Sequence, residues 1–465
     1  MLTLNGYKVS KATVPVEQLR KTLTVKPNVP KVFVSNPNAV PRYRVYKEVE
    51  DALYLPKHFG ITQFGPPSDT TRDVECTEGS RWTFSGSLRP AQNDVVNSFL
   101  NPTPHDGILS LHTGGGKTVC ALYIASRLRL PTLVIVHNSF LRDQWVERVR
   151  MFLPNARIGR IQGDACEIEG KDVVIAMLQT LSMKEIAIAT FKPIGLVIVD
   201  ECHHIASEVF VQALPKVTSK YMLGLSATPQ RKDGLMFVAH WFLGPLLYTS
   251  DTGDKTDTDV NVEVYEYENK DPVFNEIIYN SQGVMFTSLM INKLTECEGR
   301  TKWLVEILKD VLEESPHRQV LVLTDRVQHT KDLYAALPPS LQSSSAILSQ
   351  AISAAKRTEF CGSCSVLIAT YAMCKEGFDV PTLNTLLMAT PRPDVDQIVG
   401  RILRVEKSAR TTHPLILDVV DPQFRRQFQE RNALYKKRSY VVKKMALSPP
   451  PQQQQTLTQV LQAKK

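Results

Sequence analysis

Thr113-Gly114-Gly115-Gly116-Lys117-Thr118, directly after the apolar run Ile108 to Leu111, is the stretch that decides the fold. A strand that ends in a glycine loop and continues as a helix surrounds phosphate oxygens with backbone N–H groups, and glycine permits an approach that a Cβ would block. The ligands this pattern implies are a nucleoside triphosphate and Mg²⁺. Thr113, Gly114, Gly115 and Gly116 are expected around the phosphates, Lys117 between the β- and γ-phosphates, and the Thr118 hydroxyl on the metal. Leu111 stands where the full GxxxxGK[ST] pattern begins with glycine.

Working outward, a nucleotide site of this type needs a second buried strand ending in acids. The apolar segment 195–199 runs into Asp200-Glu201-Cys202-His203. Asp200 is expected to hold Mg²⁺ through water, and Glu201 to orient or deprotonate the attacking water. Taken alone, the two acids also read as a solvated strand end. Cys202 reads as a spacer and His204 as a packing or capping residue. His203, just past the acids, can hydrogen-bond toward a second domain and report the bound nucleotide.

In this order the blocks resemble the motifs of superfamily 2 helicases and translocases, in the DExH form. The resemblance extends from about residue 84 to residue 420. Leu88-Arg89-Pro90-Ala91-Gln92 is similar to the segment that reads adenine, which implies Gln92 on the base edge. Segments 133–145 and 176–180 resemble strand-end motifs that face nucleic acid, implying contacts from Asn138, Ser139, Gln179 and Thr180. Leu225-Ser226-Ala227-Thr228-Pro229 is similar to the coupling motif, with Ser226 and Thr228 as its hydroxyls. Arg231-Lys232-Asp233-Gly234 resembles the XPB-like subgroup, and the whole is most similar to helicases of large DNA viruses of the poxvirus, iridovirus and asfarvirus type and of phages.

The second half completes the pattern. An apolar strand ends in Thr324-Asp325, and another in Thr370-Tyr371, which implies Thr324 and Thr370 on nucleic acid. Segment 376–381 resembles a motif touching polymer and nucleotide, with Gly377 and Asp379 on the nucleotide side. Gln397-Ile398-Val399-Gly400-Arg401-Ile402-Leu403-Arg404 matches QxxGRxxR, which implies catalytic roles for Gln397, Arg401 and Arg404. Guanidiniums at i and i+3 share one helical face and could together approach a γ-phosphate delivered from the other domain; a solvated basic helix is the plainer alternative. The fold implied is α/β: two tandem RecA-like lobes, each a parallel sheet flanked by helices, with a small N-terminal mainly β or irregular module.

A chain of 465 residues accommodates two such lobes. The formal net charge of +8 favours a polyanionic partner without identifying nucleic acid. No stretch approaches the roughly 20 apolar residues of a membrane span, so an intracellular, soluble protein with no membrane partner is expected. The eight cysteines fit a reducing compartment, and Cys361-Gly362-Ser363-Cys364 lacks a second half at zinc spacing and reads as a loop.

Composition divides the chain into an accessory module (1–80), a nucleotide-binding lobe (81–248), a linker or insert (249–300), a second lobe (301–440) and a disordered tail (441–465). Strands are expected at 31–35, at 51–56 and over the alternating Val260, Val262 and Val264, an exposed loop at 250–259, and helix over 270–300. Tyr43, Arg44, Tyr46, Lys57, His58 and Phe59 interleave rings and cations, which suits single-stranded nucleic acid or, alternatively, packing of the module onto the first lobe. The resemblance implies an ATP-dependent helicase or translocase, with DNA preferred over RNA as the polymer and transcription or replication machinery as further partners. An RNA helicase, the motor of a restriction-type complex, or a binding module without turnover are the alternatives.

Overall fold

The computed structural model describes residues 1–28, 42–67, 82–112, 114–205, 208–227, 233–250, 256–281, 283–349, 351–375, 380, 382–405 and 407–445. Thr113, Thr228, Gly377 and Asp379, the expected strand at 31–35 and the tail from 446 lie outside them. The chain forms two compact units, Met1–Thr252 and Gly253–Lys465. Among the described residues no helix is long and apolar enough to cross a membrane.

The first unit opens with β1 (Leu2–Thr3), β2 (Gly6–Ser10), β3 (Thr24–Val25), β4 (Tyr43–Arg44), β5 (Lys47–Glu48) and β6 (Ala52–Leu55). An antiparallel sheet of order β1-β2-β6-β5 and the pair β3-β4 result. Its aromatic residues are spent on packing: Tyr43 is buried in the core of the following lobe, and Phe59 meets Trp241 edge-on at 5.1 Å. Lys57 and His58 both reach the buried Asp106 carboxylate. Of the expected nucleic-acid-binding interleave, Arg44 alone is exposed.

The larger sheet of this unit uses β7 (Gly107–Ser110), β8 (Thr132–Val136), β9 (Ile158–Gln162), β10 (Ala165–Cys166), β11 (Val173–Met177), β12 (Leu196–Val199), β13 (Tyr221–Ser226) and β14 (Leu246–Thr249). They lie in the order β10-β9-β11-β8-β12-β13-β7-β14, parallel except for β10. A parallel sheet is covered on both faces, so its strands are apolar throughout. Alternate residues therefore feed two cores: Leu133, Ile135, Val197 and Val199 enter one, and Val134, Val136, Leu196 and Ile198 the other.

The second unit repeats the design with β15 (Asn261–Glu266), β16 (Val320–Thr324), β17 (Ser345–Ile347), β18 (Val366–Thr370), β19 (Thr385–Met388), β20 (Leu415–Val420) and β21 (Val441–Met445), in the order β17-β18-β16-β19-β20-β15-β21. Several expectations need correction here. Residues 256–300 are not a linker: β15 is an inner strand between β20 and β21, and Asp257 pairs with Arg410 at 2.6 Å. The helix expected over 270–300 is broken into Pro272–Asn275, Thr287–Glu296 and the start of Glu298–Glu314, with a Tyr279–Met285 bridge between the first two. Residues 441–445 are a strand rather than tail, because β15 offers an unpaired edge. Cys361 lies in the last turn of the helix Ala354–Ser363 and Cys364 caps it, so the CxxC is a helix terminus and not a loop.

Candidate nucleotide site

β7, β12 and β13 are neighbours in the sheet, and the phosphate loop, the acids and the coupling motif follow their C-terminal ends. That is where open parallel sheets bind ligands. Gly114 (φ +85°) and Gly116 (φ +83°) adopt left-handed backbone that L side chains resist, which accounts for glycine at both positions. Arg89 Nη2 donates to the Gly114 carbonyl at 3.0 Å and Gln92 Nε2 to the Gly115 carbonyl at 3.2 Å. In a trans peptide the C=O and N–H point opposite ways, so bonding the Gly115 carbonyl to Gln92 turns the Gly116 N–H to the other side. Leu111, in place of the first glycine, is buried under the loop and packs in the adjoining core.

Gln92 is itself buried, its Oε1 accepting the Arg89 backbone N–H at 2.9 Å. It props the loop, a task the sequence pattern did not disclose. Lys117 and Thr118 open the helix Lys117–Leu128. The Lys117 ammonium donates to Glu201 Oε1 at 3.1 Å. Glu201 has φ 48°, ψ 48°, a strained conformation for a side chain of its kind, and strain of this sort persists at sites that need a particular geometry. Its N–H donates to Asp200 Oδ1 at 2.9 Å.

Burial drives the Asp200 carboxyl above its ordinary pKa, and the neighbouring Glu201 charge adds to this. For Glu201 burial acts the same way but is outweighed by Lys117 and His203, leaving it below the ordinary value. Two enclosed carboxylates thus face one ammonium. A divalent cation carried in with polyphosphate would relieve that excess, and oxygen donors are what Mg²⁺ takes, so Asp200 and Thr118 fit the metal.

His203 Nδ1 lies 3.0 Å from Ser226 Oγ and 3.3 Å from Glu201 Oε2, joining acids and coupling strand. His204 packs between His203 (ring centroids 4.2 Å, planes tilted by 40°) and His137 (5.1 Å, tilted by 58°), the packing role expected of it.

The residues expected on nucleic acid in this unit gather at the ends of adjacent strands β8 and β11. Asn138 caps the helix Ser139–Phe152 by accepting from Leu141 N at 2.8 Å, and Ser139 is exposed. Gln179 Nε2 donates to the His137 carbonyl at 2.7 Å, and Thr180 Oγ1 accepts from Gly163 N at 3.2 Å.

In the second unit Thr370 is half-buried and caps the short helix after β18, accepting from Met373 N at 3.3 Å. Thr324 departs from expectation: it is fully buried, its hydroxyl 2.7 Å from His329 Nδ1, so its side chain supports the core rather than a polymer. Burial holds His329 neutral, its pKa pushed down to about 3. Gln397 lies in the short helix Asp396–Val399, which stops before Gly400. Arg401 and Arg404 therefore do not share a continuous helical face, contrary to the i, i+3 expectation. Arg401 is buried and close enough to the buried Cys374 for its charge to act on that thiol, unlike a solvated basic face.

Missed altogether were two buried ion pairs of this unit and a more exposed one linked to them. Arg431 holds the buried Asp418 at 2.7 Å and donates to the Arg392 carbonyl at 2.8 Å, while the partly exposed Arg392 side chain pairs with Asp325 at 2.6 Å. Arg300 holds Asp421 at 2.7 Å and donates to the Ala389 carbonyl at 2.8 Å. Their partners are scattered through the sequence, and no local spacing signals them.

Residues 85–231 match the family described as "Type III restriction enzyme, res subunit". A chain of Acanthamoeba polyphaga mimivirus bearing the name of an ATP-dependent RNA helicase is 28% identical, covering 96% of this chain and 87% of its own length. An African swine fever virus chain with a like name is 27% identical over 76% of this chain and 73% of its own. S. cerevisiae Dbp5 bound to RNA and ADP BeF3 superimposes with a TM-score of 0.53 at 14% identity, covering 76% of this chain and 89% of that one, a likeness of fold. In motif order, fold and relatives the chain is similar to the superfamily 2 helicases of the kind found in large DNA viruses, and the family match and the helicase-named relatives support a nucleic-acid-dependent ATPase.

Proposed function

We propose that the protein is an ATP-dependent DNA translocase or helicase serving viral transcription, repair or recombination. The observation that carries the reading is the continuous set of contacts from Lys117 through Glu201 and His203 to Ser226. Nucleotide phosphates compete with Glu201 for Lys117, and release of Glu201 is felt at His203 and the coupling strand. Bound Mg·ATP supplies the phosphoryl group and its charge neutralisation; Glu201 orients the water, and Asp200 and Thr118 hold the metal. Gly377, Asp379 and Gln397 complete the nucleotide contacts, and Arg401 and Arg404 meet the γ-phosphate, on the strength of their motifs. Asn138, Ser139, Gln179, Thr180 and Thr370 carry the polymer.

Support for DNA comes from the Arg231 to Gly234 block, of the XPB-like kind. RNA is favoured by the names that the viral relatives bear. ATP turnover measured with single-stranded DNA, duplex DNA and RNA separates the two, with Lys117→Ala as control. Lys117→Ala should abolish turnover and keep polymer binding; equal loss of both in a folded variant refutes the assignment.

A further inference from the structure

Trp145 is almost fully buried, and its indole N–H donates to Asp200 Oδ2 at 2.9 Å. An indole is a donor only, so the sense of this bond is fixed. The other oxygen, Oδ1, accepts the Glu201 backbone N–H at 2.9 Å. With one donor on each oxygen, the carboxylate cannot rotate without breaking a buried, charge-assisted bond, yet each oxygen keeps a lone pair for a further partner. Packing fixes the indole in turn: Leu141, Trp145 and Val149 form the buried stripe of the helix Ser139–Phe152.

The same helix begins at Asn138 and Ser139. Trp145 follows Ser139 by less than two turns, about 9 Å along the axis. One rigid element therefore carries expected polymer contacts at its exposed end and the anchor of the metal-holding carboxylate on its buried face.

We propose that Trp145 is a positioning residue for Asp200, and that the helix Ser139–Phe152 transmits polymer binding at its N-terminus to the metal site. This rests on the reading of Asp200 as the Mg²⁺ residue. Were Trp145 only a core residue, losing its N–H would alter stability and leave the metal response untouched.

Two variants of the full chain isolate the N–H. Trp145→Phe shortens the ring system, and replacement of Trp145 by 3-benzothienylalanine keeps the bicycle with sulfur in place of N–H. Binding of a fluorescent ADP analogue is titrated with Mg²⁺, with and without single-stranded DNA, and thermal melting verifies folding.

In both variants the Mg²⁺ midpoint should rise about tenfold, the low end of what one charge-assisted hydrogen bond contributes. Binding in EDTA should be unchanged. Single-stranded DNA should lower the wild-type midpoint and leave those of the variants in place. A benzothienyl variant with the wild-type midpoint and the wild-type response to DNA overturns the role of Trp145 alone. A wild type whose nucleotide binding ignores Mg²⁺ overturns the reading of Asp200 and the proposal with it.

Discussion

Replacing Asp106 by Asn tests how the N-terminal module is fixed to the nucleotide-binding lobe. Asp106 immediately precedes β7, the strand that leads into the phosphate loop. Its Oδ2 takes Lys57 Nζ at 2.6 Å and His58 Nε2 at 2.8 Å, and its Oδ1 takes the Met222 N–H at 3.0 Å. The Lys57 and Asp106 side chains are only 7% and 5% exposed. Lys57 also donates to the Ser219 and Lys220 carbonyls, at 3.1 and 2.7 Å.

Asp106→Asn leaves that ammonium buried without its counter-charge and turns an amide N–H₂ toward one of the donors. Removing one partner of a buried pair costs about 3–5 kcal/mol, and at the lower end amide exchange in β7 and β13 should accelerate by about 10². Lys57→Met should be costly too, and the double variant should cost less than the sum by about 1 kcal/mol or more, since no unpaired ammonium remains.

The acid limb provides a second readout. Burial alone would raise the Asp106 pKa, but the Lys57 charge and the His58 hydrogen bond overcome it, and the folded value falls below the ordinary 3.8. The stabilisation from its ionisation is therefore complete above the unfolded pKa and lost as pH falls through the folded one, and Asp106→Asn should lack this acid loss. Additive single variants, or a cost under about 1 kcal/mol, would refute the seam.

Two predictions concern chemistry. Glu201→Gln keeps shape but loses the base and the charge facing Lys117, so nucleotide binding should persist while turnover drops by about 10² or more in steady-state assays; wild-type turnover would exclude Glu201 from that role. Arg401→Lys keeps charge but not the planar fork, so polymer-stimulated hydrolysis should fall by about 10³ with a smaller change in nucleotide affinity, and unchanged stimulated turnover would withdraw Arg401 from the site.

What the sequence made legible follows physical range. β7, β12, β16 and β18 could be read because buried parallel strands are continuous apolar runs, and the phosphate loop because glycine spacing reports backbone geometry directly. β15 was half legible. Its alternating valines marked a strand, but which sheet it joins depends on β20, far along the chain, and a local pattern cannot encode that. Thr324 misled for a similar reason: whether a hydroxyl at a strand end meets solvent or His329 is decided by a helix packing over it. Trp145 was included in a polymer-facing segment, and only the third dimension discloses its bond to Asp200. Helix continuity at Arg401 failed because Gly400 follows a single short turn.

The position of β15 also bears on how the protein is made. Among the described residues the first unit has all its strands by Thr249, whereas β15 leaves the ribosome with neither neighbour in existence, since it lies between β20 and β21. Asp257 meets Arg410 only after 153 further positions have been translated, on the order of ten seconds or more at cellular rates. Through that interval Val260, Val262 and Val264, all destined for the core, are sticky edge on a nascent chain beside an already folded lobe. Slower synthesis lengthens that interval, whereas chaperone capture of this one segment would cover it until the last strands arrive.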